Sequence, residues 1–542
     1  MKLEQPSIES TIKEIKKAEA EKEVKDAVEE FEIEAVAEAI EDEMPVNLED
    51  KDEIEKTTET EALVEEMELN PEAKERKEAM ERLKKYIAEI QEKTEKYDTV
   101  DMINPSGRIV DGKRLTYKEE ISLFKEEIQK DSNYNPVFTY PQTEEINIDD
   151  IESKIKDLGI MRERIGAEEN NEHIKKIVFE CLDTSSAEMN FIMAVKNKND
   201  AMAYQYSAEA SGDIDNELVK KNETYYQNKL KDRSYIDNPL RKKLKEIKLS
   251  SQDIKNILQI ALDVLGSSSF KINLKSNAEN ISISDTRKEI KIPENNKYTG
   301  ERAAELISHE ICTHAISMMN FNEAGFQGVS IGKNATTFQE GIAMLSEEKA
   351  GEHIFGDKKP IDKDWFIHAM EYRRKGNGFG ATYLEMKKRI LDQFIVQDIE
   401  PQKAEIDAEK ESLNICRRIF RGMHDFSSNS PYYYTKDSCY FRGYIESQKM
   451  AEKGLDHYLT DLKIDPYLLP YFISLKIIPE KALYVNRKVI EAMWDKKGFS
   501  RDFLENYDWY KENTQMDRHM AYRREFGQID DEVRDVKQKM EE

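Results

Sequence analysis

His309-Glu310-Ile311-Cys312-Thr313-His314 is the stretch on which the reading of this chain turns. Two imidazoles with a carboxylate beside the first supply two zinc ligands and a general base for hydrolysis. Three residues separate Glu310 from His314, one more than in the common zincin pattern. At about 100° per residue, the two His would stand roughly 140° apart on an α-helix, too far round to share one ion. A single π-type turn, with about 4.4 residues per turn, brings them within roughly 50°. The spacing therefore predicts a local widening of the helix between His309 and His314. A regular α-helix would leave both as ordinary helix residues, one buried and one exposed.

Upstream lie three short alternating runs, Phe270 to Leu274, Ile281 to Ser284 and Glu289 to Ile292, separated by turn-forming residues. They read as short antiparallel strands. Pro293 and Glu294-Asn295-Asn296 end the last one, and Thr299 is the expected N-cap of the next helix. Ala303, Leu306, Ile307, Ile311 and Ala315 then form an apolar stripe at helical spacing. The expected fold is α+β and predominantly helical: a zincin-like core with a small antiparallel sheet beside the metal-binding helix, packed on a helical subdomain. An edge strand there could hold an extended peptide through main-chain hydrogen bonds.

A catalytic zinc takes three protein ligands and keeps one position for water. Beyond the glycines at 325, 328 and 332, a second helix is expected from Thr336-Thr337-Phe338-Gln339-Glu340-Gly341-Ile342-Ala343. Glu340 is the expected third ligand. The competing reading is a capping box, in which Glu340 pairs with Thr337 and merely satisfies a backbone N–H. Glu347 and Glu348, two turns further, are the reserve ligands.

HEICTH followed by QEGIA resembles the microtubule-associated tyrosine carboxypeptidase family, whose bacterial members carry a QEGLA motif. Arg418-Ile419-Phe420-Arg421-Gly422 is similar to the family's Arg-Val-Phe-Arg-Gly segment, and Tyr434-Thr435-Lys436-Asp437-Ser438-Cys439-Tyr440 to its Phe-Thr-Lys-Asp segment ending in Tyr. Asn135-Pro136-Val137-Phe138-Thr139-Tyr140 resembles a further early segment. The resemblance implies a zinc metallopeptidase that removes a C-terminal residue, Tyr or another aromatic. His309, His314 and Glu340 would then bind one zinc ion per chain, and Glu310 would activate water. Two positions depart from the pattern: Cys312 stands where Gly is usual and Ile342 where Leu is usual. A small Cys is expected to pack as a buried hydrophobe rather than compete for the metal.

The chemistry needs two further groups. A tetrahedral oxyanion calls for a donor besides the metal; Tyr433, Tyr440 and His424 are candidates, with Tyr440 preferred because it falls in a family segment. A terminal carboxylate calls for a cation, and the planar fork of Arg suits it. Arg421 or Lys436 is the expected anchor, whereas Arg417 and Arg418 read as solvated helix charges. HExxxH with a downstream Glu also occurs in dipeptidyl peptidase III-like exopeptidases, and a catalytically silent zinc-binding interaction protein is a third reading.

Composition divides the chain. Residues 1–75 hold 27 acidic and 9 basic residues, a net of −18 within the chain's −27. This stretch reads as a low-complexity tail, disordered or transiently helical, with Val24, Val28, Phe31, Ile33, Ala35 and Ile40 able to form one short amphipathic helix for a partner. Residues 76–245 read as a mostly helical subdomain and 246–535 as the catalytic subdomain. No apolar run is long enough to span a membrane, and the N-terminus lacks a secretory signal. Four Cys without CxxC spacing suit reduced thiols in a cytoplasm. An acidic body excludes a nucleic-acid partner and argues mildly against a highly acidic substrate such as a tubulin tail.

Overall fold

The computed structural model describes residues 71–94 and 102–475, apart from 233–234, 265–268, 277, 279, 285–286, 327–329, 356 and 453–462. The acidic stretch to residue 70, with its expected partner helix, and the charged C-terminal end lie outside the described residues.

The first half is a stack of helices: α1 (Pro71–Thr94), α2 (Tyr117–Glu127), α3 (Pro141–Glu144), α4 (Ile148–Glu168), α5 (Glu172–Lys196), α6 (Asp200–Ser211) and α7 (Asn216–Lys231). A two-residue hairpin, β1 (Ile109–Val110) with β2 (Lys113–Arg114), precedes α2. The helix starts follow from local chemistry. Thr116 and Glu119 form a reciprocal capping box, and Asn147, Asn171, Asn199 and Asp215 each accept an N–H from the first turn they precede.

A lobe follows: α8 (Pro239–Glu246), β3 (Lys248–Ser250), α9 (Ser251–Val264), β4 (Lys271–Lys275), β5 (Ser282–Ser284), β6 (Glu289–Pro293) and β7 (Lys297–Thr299). The expected antiparallel pairing holds for β5–β6, with Ile283 opposite Ile290; β3 and β7, outside the expected strands, also pair antiparallel. It fails for β4, which joins β6 in parallel with Ile272 opposite Ile290. Strand β6 is buried at Ile290 and Ile292, so it takes the central place where both of its edges are paired, and β4 and β5 are left on opposite sides.

The motif-bearing helix comes next as α10 (Gly300–Leu306), a π-helical segment (Ile307–Ala315) and α11 (Ile316–Glu323). The described residues end in α12 (Ala335–Phe355), α13 (Trp365–Arg374), α14 (Phe379–Val396), α15 (Pro401–Ile419), a 3₁₀ turn at Lys436–Ser438, α16 (Cys439–Ala451) and α17 (Leu469–Ser474).

The apolar interior forms two clusters. One lies within the lobe and the motif helix, from Leu244 to Met318. The other joins α1 and the helices before α8 to α12–α17. The helices after 320 share their core with those before the lobe. Leu83, Ile87 and Ile90 of α1 are buried in that core, so the first described helix is packed rather than solvated. Among the described residues no helix is long and apolar enough to cross a membrane. All four Cys are buried free thiols.

Candidate metal centre

Thr299 caps the motif helix, its hydroxyl accepting the Arg302 N–H at 3.2 Å. Ala303, Leu306, Ile307, Ile311 and Ala315 are buried in the lobe's cluster, as the apolar stripe requires. Within this frame Ile307–Ala315 is π-helical, with α-helix on both sides. The widening that the His spacing predicts is therefore present. It leaves a mark on the side chains too: the Thr313 hydroxyl donates to the Ser308 carbonyl, five residues back, at 2.9 Å. The His309 and His314 ring centroids lie 4.9 Å apart.

Glu340 reaches the pair from the second turn of α12. Its oxygens are 3.8 Å from His309 Nε2 and 4.0 Å from His314 Nε2, and the three donor atoms fall within 4.8 Å of one another. Zinc bonds of about 2.0–2.1 Å place tetrahedral ligand atoms about 3.4 Å apart, so side-chain shifts of up to about 1.4 Å would close this set. Two imidazoles and a carboxylate are also the donor chemistry of a hydrolytic zinc. The capping alternative for Glu340 is not realised. Thr337 is already inside α12, and its hydroxyl accepts from Arg442 at 3.1 Å. Just before the helix, Asn334 donates its N–H and its side-chain amide to Asp465.

Glu347 takes a role other than reserve ligand. Its Oε1 is 3.0 Å from His309 Nδ1, the nitrogen turned away from Glu340, an ion-pair contact that is not aligned as a hydrogen bond. Such a partner fixes the tautomer and leaves Nε2 to bind. Arg302 in turn bridges Glu347 at 3.3 Å and Glu305 at 2.8 Å. Glu348 is engaged by the Tyr444 hydroxyl and Lys358. Burial disfavours a charged His309, but the carboxylates of Glu347, Glu310 and Glu340 together outweigh it and lift the imidazole to about 9. Burial pushes Glu310 up to about 7, with His309 and Arg302 opposing and Glu340 and Glu347 adding. A carboxyl poised near neutrality suits proton exchange. Cys312 sits in the lobe's apolar cluster and not among the three donors, as expected of a small hydrophobe.

The glycine after Glu340 has a steric cause. A Cβ on Gly341 would meet the backbone of Gly443, 2.6 Å from its Cα, so α12 and α16 cross with their backbones nearly touching. The crossing carries Tyr440, one turn before Gly443, to the cleft wall, where the Glu340 charge acts on it. The Tyr440 oxygen accepts an N–H from Arg418 at 3.0 Å. Arg418 also grips Asp437 through Nε at 3.0 Å and through Nη2. Two sequence segments that resemble the family thus meet in a single Asp437–Arg418–Tyr440 chain.

This corrects the reading of Arg418 as a solvated charge: its side chain is 20 % exposed, and it stacks on Phe366 with its guanidinium carbon 4.7 Å from the ring centroid. Helical phase explains the difference. Asp407, Glu411, Asn414 and Arg418 share the face of α15 that lines the cleft. Arg421 lies past the helix end, beside Gly422 at φ 76°, and is not a lining residue. Lys436 is also outside the lining set, in the 3₁₀ turn beside Asp437. Of the other oxyanion candidates, Tyr433 is fully buried and donates to Asp213 at 2.6 Å, and His424 pairs with Asp200 at 3.3 Å. Neither lines the cleft.

Residues 124–393 match the sequence model of the microtubule-associated tyrosine carboxypeptidase family. The chain belongs to this family. No curated protein matches it. The matched span contains His309, Glu310, His314 and Glu340, while Arg418, Asp437 and Tyr440 lie beyond it.

In this family member the donors open into a cleft of about 860 Å³. Ser282 and Ile283 of the edge strand β5 line one side, and Ile361, Trp365 and Phe394 give the other an apolar stretch. Sequence reasoning missed three of its features: the second task of Glu347, the pairing of Arg418, and Lys363 on the wall. Only the first had a signal, since seven residues from Glu340 is two turns on the same helix face.

Proposed function

We propose that this chain is a zinc-dependent metallocarboxypeptidase that hydrolyses the C-terminal peptide bond of a protein or peptide. The observation that carries the reading is the convergence of His309, His314 and Glu340 beside the buried Glu310. Zinc bound by those three residues would supply Lewis acidity toward water and the scissile carbonyl. Glu310 takes the proton from the attacking water and passes it to the leaving amine. The Tyr440 oxygen already accepts the Arg418 N–H, so its own proton is free to be given to the developing oxyanion. Asp437 neutralises Arg418 and holds it in place. An extended substrate would lie along the open edge of β5, adding a strand by main-chain hydrogen bonds. Trp365 and Phe394, 6.2 Å apart between ring centroids, support a preference for an aromatic terminal residue.

The test is zinc stoichiometry of the full chain and of Glu340→Ala, with turnover of peptides blocked at one end or the other. One zinc per chain, lost in the variant, and cleavage of N-acetylated but not C-amidated peptides are the expected results. Cleavage only of peptides with a free N-terminus would favour a dipeptidyl peptidase. No zinc in the wild type after metal reloading would make it a binding protein.

A further inference from the structure

An exopeptidase that cuts at a C-terminus must hold a carboxylate one residue beyond the scissile bond, about 3.8 Å further along the chain. Most cations of the cleft are already committed. Arg241 pairs with Glu301 at 2.8 Å and Asp357 at 2.6 Å. Arg302 serves Glu305 and Glu347, Lys359 serves Glu305, and Arg418 serves Asp437. Lys410 is exposed on α15, next to Glu411.

We propose that Lys363 binds the substrate's terminal carboxylate, an inference that rests on the carboxypeptidase reading. Lys363 sits in the run Asp362-Lys363-Asp364, and both flanking acids are bound by another cation. The buried Lys229 ammonium takes Asp362 at 2.9 Å and Asp364 at 3.0 Å. Gln393 adds a hydrogen bond to Asp362 at 2.8 Å. The backbone is pinned as well: the Ile361 carbonyl accepts from Lys229 and the Ile361 N–H donates to the Tyr225 hydroxyl, both at 2.7 Å. Asp364 is buried and Asp362, also on the cleft wall, is held by Lys229, while Lys363 faces the cleft with its ammonium 5.7 Å from the centroid of the Tyr440 ring. No ion pair engages it among the described residues. A half-buried ammonium on a fixed loop, beside the oxyanion donor but not on it, is the placement a terminal carboxylate needs.

The experiment uses the full zinc-loaded chain and a peptide pair that differs only in a free or amidated C-terminus. Lys363→Met keeps the aliphatic stem and removes the charge. It should lower kcat/KM for the free acid by about 10- to 100-fold, carried by KM, while zinc stays at one per chain. The free-acid to amide ratio should collapse toward one, and Lys363→Arg should recover part of it. A Lys363→Met enzyme that keeps the wild-type ratio would overturn the assignment while leaving the carboxypeptidase intact. A wild type that does not prefer the free acid would overturn the carboxypeptidase reading itself, and the anchor with it.

Discussion

Gly443→Ala tests whether the crossing of α12 and α16 is what sets the catalytic geometry. The added Cβ would stand on the Thr337 carbonyl group, 2.8 Å from its carbon and 3.1 Å from the Gly341 Cα. Carbon atoms in contact prefer about 3.5–4.0 Å, and the carbonyl oxygen of Thr337 lies nearer still, so α16 must retreat by at least about 1 Å. Overpacking of this kind costs about 1–3 kcal/mol of stability, which a folded helical protein of this size survives with a lowered Tm. Tyr440 moves with its helix, whereas Glu340 stays with α12. A misplacement of about 1 Å at a reacting geometry costs about 10²-fold. The variant should therefore keep its helical circular dichroism and its zinc, yet lose about 100-fold in kcat on a peptide with a free C-terminus. Turnover within twofold of wild type would refute the view that this glycine pair positions Tyr440. Loss of zinc together with activity would place the damage on α12 instead.

Two further perturbations address the second layer of the site and the start of α12. Glu347→Gln should weaken zinc binding by about 10- to 100-fold in a chelator competition, because the His309 Nδ1 loses its anionic partner; an unchanged affinity would mean that the ring is held by packing alone. Asp465, buried and accepting N–H groups from Asn334 and Tyr467, has its carboxyl raised by burial to about 6 from an ordinary 3.8. The folded state then holds the proton more tightly than the unfolded chain, so this residue's contribution to stability falls as pH rises from about 4 to about 6, by up to about 3 kcal/mol. Asp465→Asn should remove that component, so the difference in Tm between variant and wild type should change across that window and stay flat above it. Parallel Tm curves from pH 4 to 7 would count against the shift.

What could be read from the sequence was what neighbours along one helix dictate. The five-residue offset of His309 and His314 required a wide turn, and the apolar stripe from Ala303 to Ala315 said which face of that helix was buried. Both follow from angles per residue. The order β4–β6–β5 could not be read, because alternation reveals a strand but not its partner, and β6 won the centre by burying Ile290 and Ile292. Glu340 was ambiguous for a similar reason. Its spacing from Thr337 fits a cap and a ligand equally, and only the start of α12 at Ala335 separates the two. Arg418 and Arg421 are three residues apart, and nothing in their surroundings says that the helix stops between them at Ile419.

The charge argument also changes once it is made local. A chain of −27 suggested poor tolerance of an acidic substrate, but −18 of that belongs to residues 1–75. Residues 241–300, which form the lobe and its edge strand, hold 12 Lys and Arg against 7 Asp and Glu. Charges separated by more than a Debye length of about 8 Å are largely screened at physiological salt, so a substrate on β5 responds to the lobe rather than to the total. Near the cleft the committed cations, Arg241, Arg302, Lys359 and Arg418, cancel acids beside them, whereas no ion pair ties the Lys363 ammonium to a carboxylate among the described residues. The net charge therefore says little about what the cleft accepts, and the repulsion it implied belongs mainly to a segment that need not lie near the site.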